Sequence, residues 1–339
     1  MEKMEKNIGN KVKFAALVMA GMLGAFSSAA QAGPVIDGDL ITADVTTVKV
    51  KKHESLFDIA RKYDMGIVEL EAANPGVNPW QPKVGSEVTV ANRHILPSIT
   101  RDGIVVNLAA SRLFYFKSPN EVMSFPIASG KEGWETPVAA TKVTEKRLHP
   151  TWTIPEDIRA ENPDLPESIP PGPQNPLGNY ALALGLDGIM IHGTNAPSSI
   201  GKHASHGCIR MYPEDIESLF NAVKKGTPVL LAKMPYNIGW QGRKLYLEVT
   251  PRVHAPPSKK VAAKKPKPDM MLHQAIERVA GNATIDWDAV DEAMARGDGI
   301  PAEVGSRPFF GPPLPQTASA QPQQRASLTI VNDNNVSLR

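Results

Sequence analysis

Proline is the residue that most restricts how this chain can fold, because it breaks helices and removes a hydrogen-bond donor from strands. The sequence of 339 residues contains 31 prolines, many of them in loops and in the last third of the chain. This distribution favours many short elements over long helices. Between about residues 100 and 250, short apolar runs bounded by turn residues predict a mainly β domain.

Residues 1–32 have the pattern of an export signal. A lysine-rich start precedes an apolar run over residues 14–26, and Ala30-Gln31-Ala32 follows as a small-x-small cleavage site. The run is short for a membrane span, which needs roughly 20 apolar residues. We therefore expect a signal peptide that is cleaved near Ala32 and a mature protein in the periplasm. A retained membrane anchor is the alternative.

The charge balance and the cysteine content argue against two classes of function: nucleic-acid binding and a fold held by internal disulfides. Lys and Arg number 37 against 35 Asp and Glu, a balance that argues against nucleic acid as a partner. Cys208 is the single cysteine, so an exported chain of this sequence cannot use it for an internal disulfide. The remaining interpretations are a reactive thiol and a small buried apolar residue.

Residues 45–92 are predicted to form a small module with the order strand, helix, helix, strand. Ser55 is placed to cap the first helix, and Asn74-Pro75-Gly76 ends the second. The segment resembles a LysM module, an envelope domain that binds glycans containing N-acetylglucosamine, although His53-Glu54 stands where that family usually has Gly-Asp. A packing module without a ligand is the alternative. The matching residues are Val48-Lys49-Val50, Ser55-Leu56, Ile59-Ala60, Tyr63, Leu70, Ala73-Asn74-Pro75 and Val84-Gly85.

The rest of the chain divides by composition. Within residues 100–250 we predict strands at 103–108, 113–116, 122–128, 139–143, 181–184, 189–191 and 229–231, and one clear helix at 213–224. Pro126 confines its strand to a sheet edge or a bulge, and a proline-rich excursion at 150–176 is expected to form a lid or wall. After residue 250 we predict a Lys/Pro-rich linker at 251–268, a short helical segment at 269–300 with two helices, and a disordered tail at 301–339.

The residues with the clearest chemical signal are Ser205-His206-Gly207-Cys208-Ile209-Arg210, preceded by His192-Gly193-Thr194 at the end of an apolar strand. A free thiol has a pKa of about 8.5. It becomes a good nucleophile once a histidine takes its proton or lowers that pKa. We expect a pKa about two units lower at Cys208. No Asp or Glu lies in the motif, so a backbone carbonyl is expected to orient the histidine.

This motif resembles the signature of L,D-transpeptidases with the YkuD fold. Residues 132–137, 170–178 and 239–249 are also similar to the ErfK/YbiS-like subgroup, which carries an N-terminal LysM module. The resemblance covers about residues 45–250 and implies a mainly β catalytic domain, a YkuD-like sandwich or barrel with one helix. It implies the following roles: Cys208 as nucleophile, His192 as proton donor and acceptor, Gly193 as the carbonyl that orients His192, His206 in support, Gly207 with Cys208 at the oxyanion, and Arg210, Ser205 and Thr194 at the substrate.

The resemblance implies ping-pong acyl transfer on peptidoglycan tetrapeptide stems. Cys208 attacks the diaminopimelate carbonyl, D-alanine leaves, and the thioester passes to an amine of a second stem or of an outer-membrane protein or lipoprotein. No cofactor and no metal are expected. The alternatives are an L,D-carboxypeptidase or amidase, a non-catalytic peptidoglycan-binding scaffold, and a zinc site made of His192, His203, His206 and Cys208. His149, His254 and His273 are taken as structural.

Overall fold

The structure is a computed structural model that describes residues 35–42, 45–118, 121–251 and 269–308, together with the backbone of 328–329. The predicted signal peptide, almost all of the predicted linker, and most of the predicted tail lie outside these residues. In the part of the chain that is described, no helix combines the length and the apolar character that crossing a bilayer requires.

The N-terminal part contains a hairpin and the predicted small module. Its elements are β1 (Val35–Asp37), β2 (Leu40–Thr42), β3 (Thr46–Lys49), α1 (Leu56–Lys62), α2 (Ile67–Ala73), β4 (Glu87–Val90) and β5 (His94–Ile95). Strands β3 and β4 pair antiparallel around the two helices, which confirms the βααβ module. Ser55 caps α1 as predicted, because its hydroxyl accepts from Asp58 N while the Asp58 carboxylate accepts from Ser55 N.

The central domain is built on one mixed sheet of eight strands. Its elements are β6 (Gly103–Asn107), β7 (Arg112–Ser118), β8 (Glu121–Pro126), β9 (Ser129–Gly130), β10 (Ala139–Leu148), β11 (Trp152–Thr153), α3 (Glu156–Glu161), β12 (Ser168–Ile169), β13 (Tyr180–Leu184), β14 (Met190–His192), β15 (His203–Ser205), β16 (Ile209–Arg210), α4 (Pro213–Ala222) and β17 (Pro228–Ala232). The sheet order is β16-β14-β13-β10-β17-β6-β7-β8, with β17–β6 and β14–β16 parallel. Strand β8 with Pro126 lies at the edge, as its proline requires.

Alternation along β6 explains how this sheet is packed on both faces. Ile104 and Val106 enter the larger core, which also contains Ile191 of β14 and Ile209 of β16, while Val105 belongs to a second core on the other side. Each aliphatic side chain buried in this way contributes about 1.5–3 kcal/mol. The prediction of a mainly β domain is confirmed. Its single predicted helix corresponds to α4, and the proline-rich excursion adds the short helix α3.

The C-terminal part forms a second sheet covered by helices. Its elements are β18 (Tyr236–Gln241), β19 (Lys244–Val249), α5 (Met270–Ala280), β20 (Thr284–Ile285), α6 (Trp287–Arg296), β21 (Ala302–Ser306) and β22 (Leu328–Thr329). Strand β22 pairs with β1, and the second sheet has the order β18-β19-β21-β20. Leu272 and Ile276 of α5 and Val290 of α6 pack with Leu245 and Leu247 of β19.

The prediction of a disordered tail from residue 301 is wrong for β21. This strand pairs with both β19 and β20, and its Val304 is completely buried. The segment has a single large apolar side chain, so its sequence gives little indication that it forms a strand. Its stability comes from backbone hydrogen bonds to two neighbours, which only the tertiary structure supplies.

A buried ionic cluster joins the three parts of the structure. Glu69 of α2 pairs with Arg112 of β7 and with His94 of β5 at 3.1 Å each, and His94 Nδ1 lies 3.0 Å from Glu248 of β19. Burial opposes the charge on Glu69, but Arg112 and His94 outweigh it and lower the Glu69 pKa to about 2. Burial and Arg112 act against the charge on His94, and its two carboxylate partners outweigh them, so its pKa is raised.

We predict that Glu69→Ala lowers the free energy of unfolding by about 3–5 kcal/mol, because it leaves Arg112 and His94 buried without their carboxylate. Urea denaturation near pH 6 measures this, and Glu87→Ala on the exposed side of β4 is the control. The stabilisation from Glu69 is lost as the pH falls from 4.5, the ordinary pKa of a glutamate, through its folded pKa of about 2. The stabilisation from His94 is lost as the pH rises through its raised pKa. Equal effects of the two substitutions would contradict this role.

Candidate active site

The pairing of β14 with β16 brings the predicted histidine and cysteine to neighbouring strands. The parallel register sets Ile191 opposite Ile209 and His192 opposite Arg210. Cys208 directly precedes β16, so it lies beside the start of β14. Ile191 and Ile209 are fully buried in the same core, which fixes this register.

His192 is held as a neutral base by its surroundings. Its Nδ1 lies 2.7 Å from Gly193 O, the carbonyl that the resemblance implied, and the side chain is buried. Because a carbonyl oxygen only accepts, Nδ1 carries the proton and Nε2 keeps its lone pair. Burial, followed by the positive charge of Arg210, lowers the His192 pKa to about 4. At neutral pH the imidazole is therefore uncharged and ready to take a proton at Nε2.

Cys208 is held as a thiol in this structure, contrary to the lowered pKa expected from the sequence. Its Sγ donates to Gly188 O at 3.2 Å. Burial raises its pKa, and a hydrogen bond with the Met190 backbone and the charge of Arg210 offset only part of that effect. The expectation was wrong because burial disfavours the charged thiolate more than these two groups stabilise it. The sulfur must lose its proton during the reaction.

Two hydroxyl groups hold the loop that carries Cys208. Thr136 Oγ1 donates to Gly207 O at 2.8 Å, and Ser205 Oγ donates to Cys208 O at 2.5 Å. Gly207 has a φ of +100°, a conformation that other residues rarely adopt. The loop is therefore shaped by its glycine and fixed by side chains on both sides of the nucleophile.

The proline-rich excursion contacts the site through Glu161, the last residue of α3. The Glu161 carboxylate accepts from Trp134 Nε1 at 3.0 Å and lies 3.4 Å from His206 Nε2 and 3.8 Å from Lys131 Nζ. The rings of Trp134 and His206 meet edge to face, with centroids 4.9 Å apart. The excursion thus forms a wall at this side of the site, and His206 supports that wall.

Two of the three predicted substrate contacts have other roles in this structure. The Ser205 hydroxyl is buried against Cys208 O, and the buried Thr194 hydroxyl accepts from Ala196 N at 3.0 Å. Arg210 is half-buried, and none of the ion pairs among the described residues includes it. Its guanidinium is therefore the predicted contact that keeps its charge available for a ligand.

The histidines do not converge with Cys208 as a metal site would require. His203 Nδ1 lies 2.7 Å from Ser129 Oγ, His206 faces Glu161, and His192 Nδ1 faces Gly193. Across the side chains given by the structure, no three His, Cys, Asp or Glu residues are grouped so that they could hold a metal ion. His273 stacks on Trp287 in the C-terminal part, and His254 lies outside the described residues.

Sequence reasoning missed three side chains and one backbone group at this site. Thr136 and Trp134 lie in a stretch whose likeness to the subgroup was noted, but nothing in that stretch assigned either of them a contact. No sequence pattern indicated that Glu161 lies at the site, because the excursion that brings it to His206 folds back over many residues of irregular chain. The carbonyl of Gly188 is a backbone group, which no residue pattern marks.

A buried neutral imidazole at the end of β14 and a thiol directly before the neighbouring strand β16 are an arrangement typical of a cysteine enzyme. The comparisons agree: residues 101–231 match the YkuD family model, the L,D-transpeptidase catalytic domain, and residues 48–91 match the LysM domain. The chain belongs to the L,D-transpeptidase family. The resemblance noted in the sequence and the prediction of a cysteine-dependent enzyme are thereby confirmed.

Relatives from Escherichia coli K12 match most of the chain. The probable L,D-transpeptidase YcfS is 36% identical over 259 residues, which cover 74% of this chain and 80% of the relative. The probable L,D-transpeptidase ErfK/SrfK is 35% identical over 288 residues, which cover 81% of this chain and 91% of the relative. Among solved structures, the catalytic domain of the E. faecium L,D-transpeptidase is 28% identical, with a TM-score of 0.33, and covers 40% of this chain and 100% of that one.

We predict that iodoacetamide modifies Cys208 slowly at pH 7 and that the rate is still rising at pH 9, because burial raises the thiol pKa above its ordinary value. Mass spectrometry reads this site without ambiguity, since the chain has one cysteine. His192→Gln is the control: removing a neutral imidazole leaves the pH profile of alkylation nearly unchanged. A rate that levels off by pH 7 in the wild type would show a preformed thiolate and contradict the account.

Proposed function

We propose that this chain is an exported L,D-transpeptidase that acts on peptidoglycan in the periplasm. Cys208 takes the acyl group of a tetrapeptide stem at the diaminopimelate carbonyl, D-alanine leaves, and an amine receives the acyl group. The observation that carries this proposal is the hydrogen bond from His192 Nδ1 to Gly193 O, which places the ring proton on Nδ1 and leaves the lone pair on Nε2. The residues at 1–32 support export, and N-terminal sequencing of the envelope protein, expected to begin near Gly33, tests it.

Acylation begins with the proton on sulfur, because burial raises the pKa of the Cys208 thiol and lowers that of His192. His192 Nε2 takes the thiol proton as Sγ attacks the carbonyl, and the negative charge that forms on the carbonyl oxygen is stabilised by the backbone amide of Cys208. The imidazolium is a stronger acid than that of an ordinary histidine, because burial and Arg210 lower its pKa to about 4. It therefore gives its proton readily to the departing D-alanine amine, and the thioester remains on Cys208.

The second half reverses these proton transfers. His192, neutral again, takes a proton from the attacking amine, and the thioester breaks as Sγ leaves and regains a proton. The amine belongs either to a second stem, which gives a 3–3 cross-link, or to a lysine of an outer-membrane protein or lipoprotein. Water in place of the amine would make the chain an L,D-carboxypeptidase or amidase.

We propose that the LysM module binds the glycan strand. Trp80 is 65% exposed and packs against Phe57, with ring centroids 4.3 Å apart. An exposed indole held by a second ring offers a rigid apolar face to a sugar. Pull-down with purified peptidoglycan, comparing the wild type with Trp80→Ala, tests this interaction.

We predict that Cys208→Ala abolishes D-alanine release from disaccharide-tetrapeptide, while its melting temperature stays close to that of the wild type. Mass spectrometry with and without an acceptor amine identifies the products. A dimer or an amine adduct supports transpeptidation. D-alanine release without transfer would make the chain a carboxypeptidase, and no release by the wild type would favour the non-catalytic scaffold. A carbapenem is expected to add to Cys208 in the wild type.

Arg210 is proposed to bind a stem-peptide carboxylate, because it is half-buried beside the thiol and the imidazole. We predict that Arg210→Gln raises KM for the tetrapeptide several-fold. Removing its charge also raises the His192 pKa above about 4, so the acid limb of the kcat profile moves to higher pH. Rates measured between pH 4 and pH 8 test both effects. An unchanged KM with a shifted acid limb would assign Arg210 to electrostatics alone.

A further inference from the structure

The two peptide groups that flank Cys208 are each held by a side-chain hydroxyl. Ser205 Oγ donates to Cys208 O, on the C-terminal side of the nucleophile. Thr136 Oγ1 donates to Gly207 O, on the N-terminal side. The second contact joins parts of the chain that are far apart in sequence, since Thr136 lies 71 residues before Gly207.

The Thr136 hydroxyl has a fixed orientation. It is buried, and its oxygen accepts a hydrogen bond from Gly130 N at 2.9 Å. A threonine hydroxyl has a single proton to donate, so accepting from Gly130 leaves that proton directed at Gly207 O. Pro137 follows Thr136 and restricts its backbone to the extended region, which steadies the side chain further.

The peptide that Thr136 holds is one that can otherwise rotate. A trans peptide is planar, with its C=O and N–H pointing in opposite directions, so the direction of Gly207 O determines that of the Cys208 N–H. Gly207 has a φ of +100° and no side chain to restrict rotation about its backbone bonds. A hydrogen bond at Gly207 O is therefore the simplest way to keep the Cys208 N–H directed at the substrate oxygen.

We propose that Thr136 is a positioning residue for the oxyanion: its hydroxyl holds the Gly207–Cys208 peptide so that the Cys208 N–H faces the carbonyl oxygen of the substrate. This inference rests on the proposed function, because it requires acyl transfer at Cys208. The contacts of the Thr136 hydroxyl are with Gly130 N and Gly207 O. It acts on the direction of one backbone donor.

The test compares two reactions of the same sulfur. Acylation by a carbapenem forms an oxyanion, whereas alkylation by iodoacetamide forms none. Thr136→Val keeps the shape of the side chain and removes the hydroxyl. We expect acylation of Cys208 to slow by about ten- to a hundred-fold, less than the hundred- to thousand-fold typical of losing an oxyanion donor outright. Alkylation is expected to keep its wild-type rate and pH profile.

Two further variants control this comparison. Thr136→Ser retains the hydroxyl and restores acylation to near the wild-type rate. Thr250→Val removes a hydroxyl that donates to Met234 O at 3.3 Å in the C-terminal part, and it leaves both reactions unchanged. Melting temperatures of all variants show whether each is folded, and Thr136→Ala, which also lacks the hydroxyl, replaces the valine variant if that one is not.

The outcomes separate this inference from the proposed function. A wild type that carbapenem does not acylate overturns the proposed function and, with it, this inference. Normal acylation of a folded Thr136→Val variant overturns the positioning role alone. So does an equal loss of acylation and alkylation, or failure of Thr136→Ser to acylate, because either would mean that Thr136 matters to the site only through packing.

Discussion

The hydrogen bond between His192 Nδ1 and Gly193 O determines how this site can work. It fixes the tautomer, and burial with the nearby Arg210 lowers the imidazole pKa to about 4. The same burial raises the pKa of the Cys208 thiol. Before substrate binds, the proton therefore rests on sulfur, and it moves to nitrogen only as the carbonyl is attacked. A protonated thiol reacts slowly with oxidants, which suits a lone cysteine in the exported protein proposed here.

The LysM module is packed onto the segment that leads to the nucleophile. Ile67 N donates to Ile200 O at 3.1 Å, and a Cβ atom on Gly66 would lie 2.8 Å from the Cα of Gly201. Only glycines permit this approach, and Gly201 has a φ of +93°. Together with the buried cluster around Glu69, this contact sets the module directly against the catalytic domain. A glycan bound to the module would thus be held at a defined place relative to the site.

The sequence was most informative where one residue type is required by chemistry or by local geometry. The glycine-marked motif singled out Cys208 and His192 as candidates, which the pairing of β14 with β16 brings side by side, and Ser55 was correctly placed as a helix cap. It was least informative where partners come from distant segments. Thr136 and Glu161 reach the site only through tertiary folding, and β21 forms because two neighbouring strands pair with it. The sign of the Cys208 pKa shift depends on burial, which no local pattern records.

The central claim is that a neutral imidazole with its proton on Nδ1 serves as the base. Nitrogen-15 NMR of the histidine side chains at pH 7 tests it directly, with His192 assigned by comparison with the His192→Gln variant. The account predicts one protonated nitrogen, Nδ1, and a bare Nε2 in the free enzyme, with no change down to about pH 5. Two protonated nitrogens at pH 7 would mean an imidazolium paired with a thiolate, and they would contradict it.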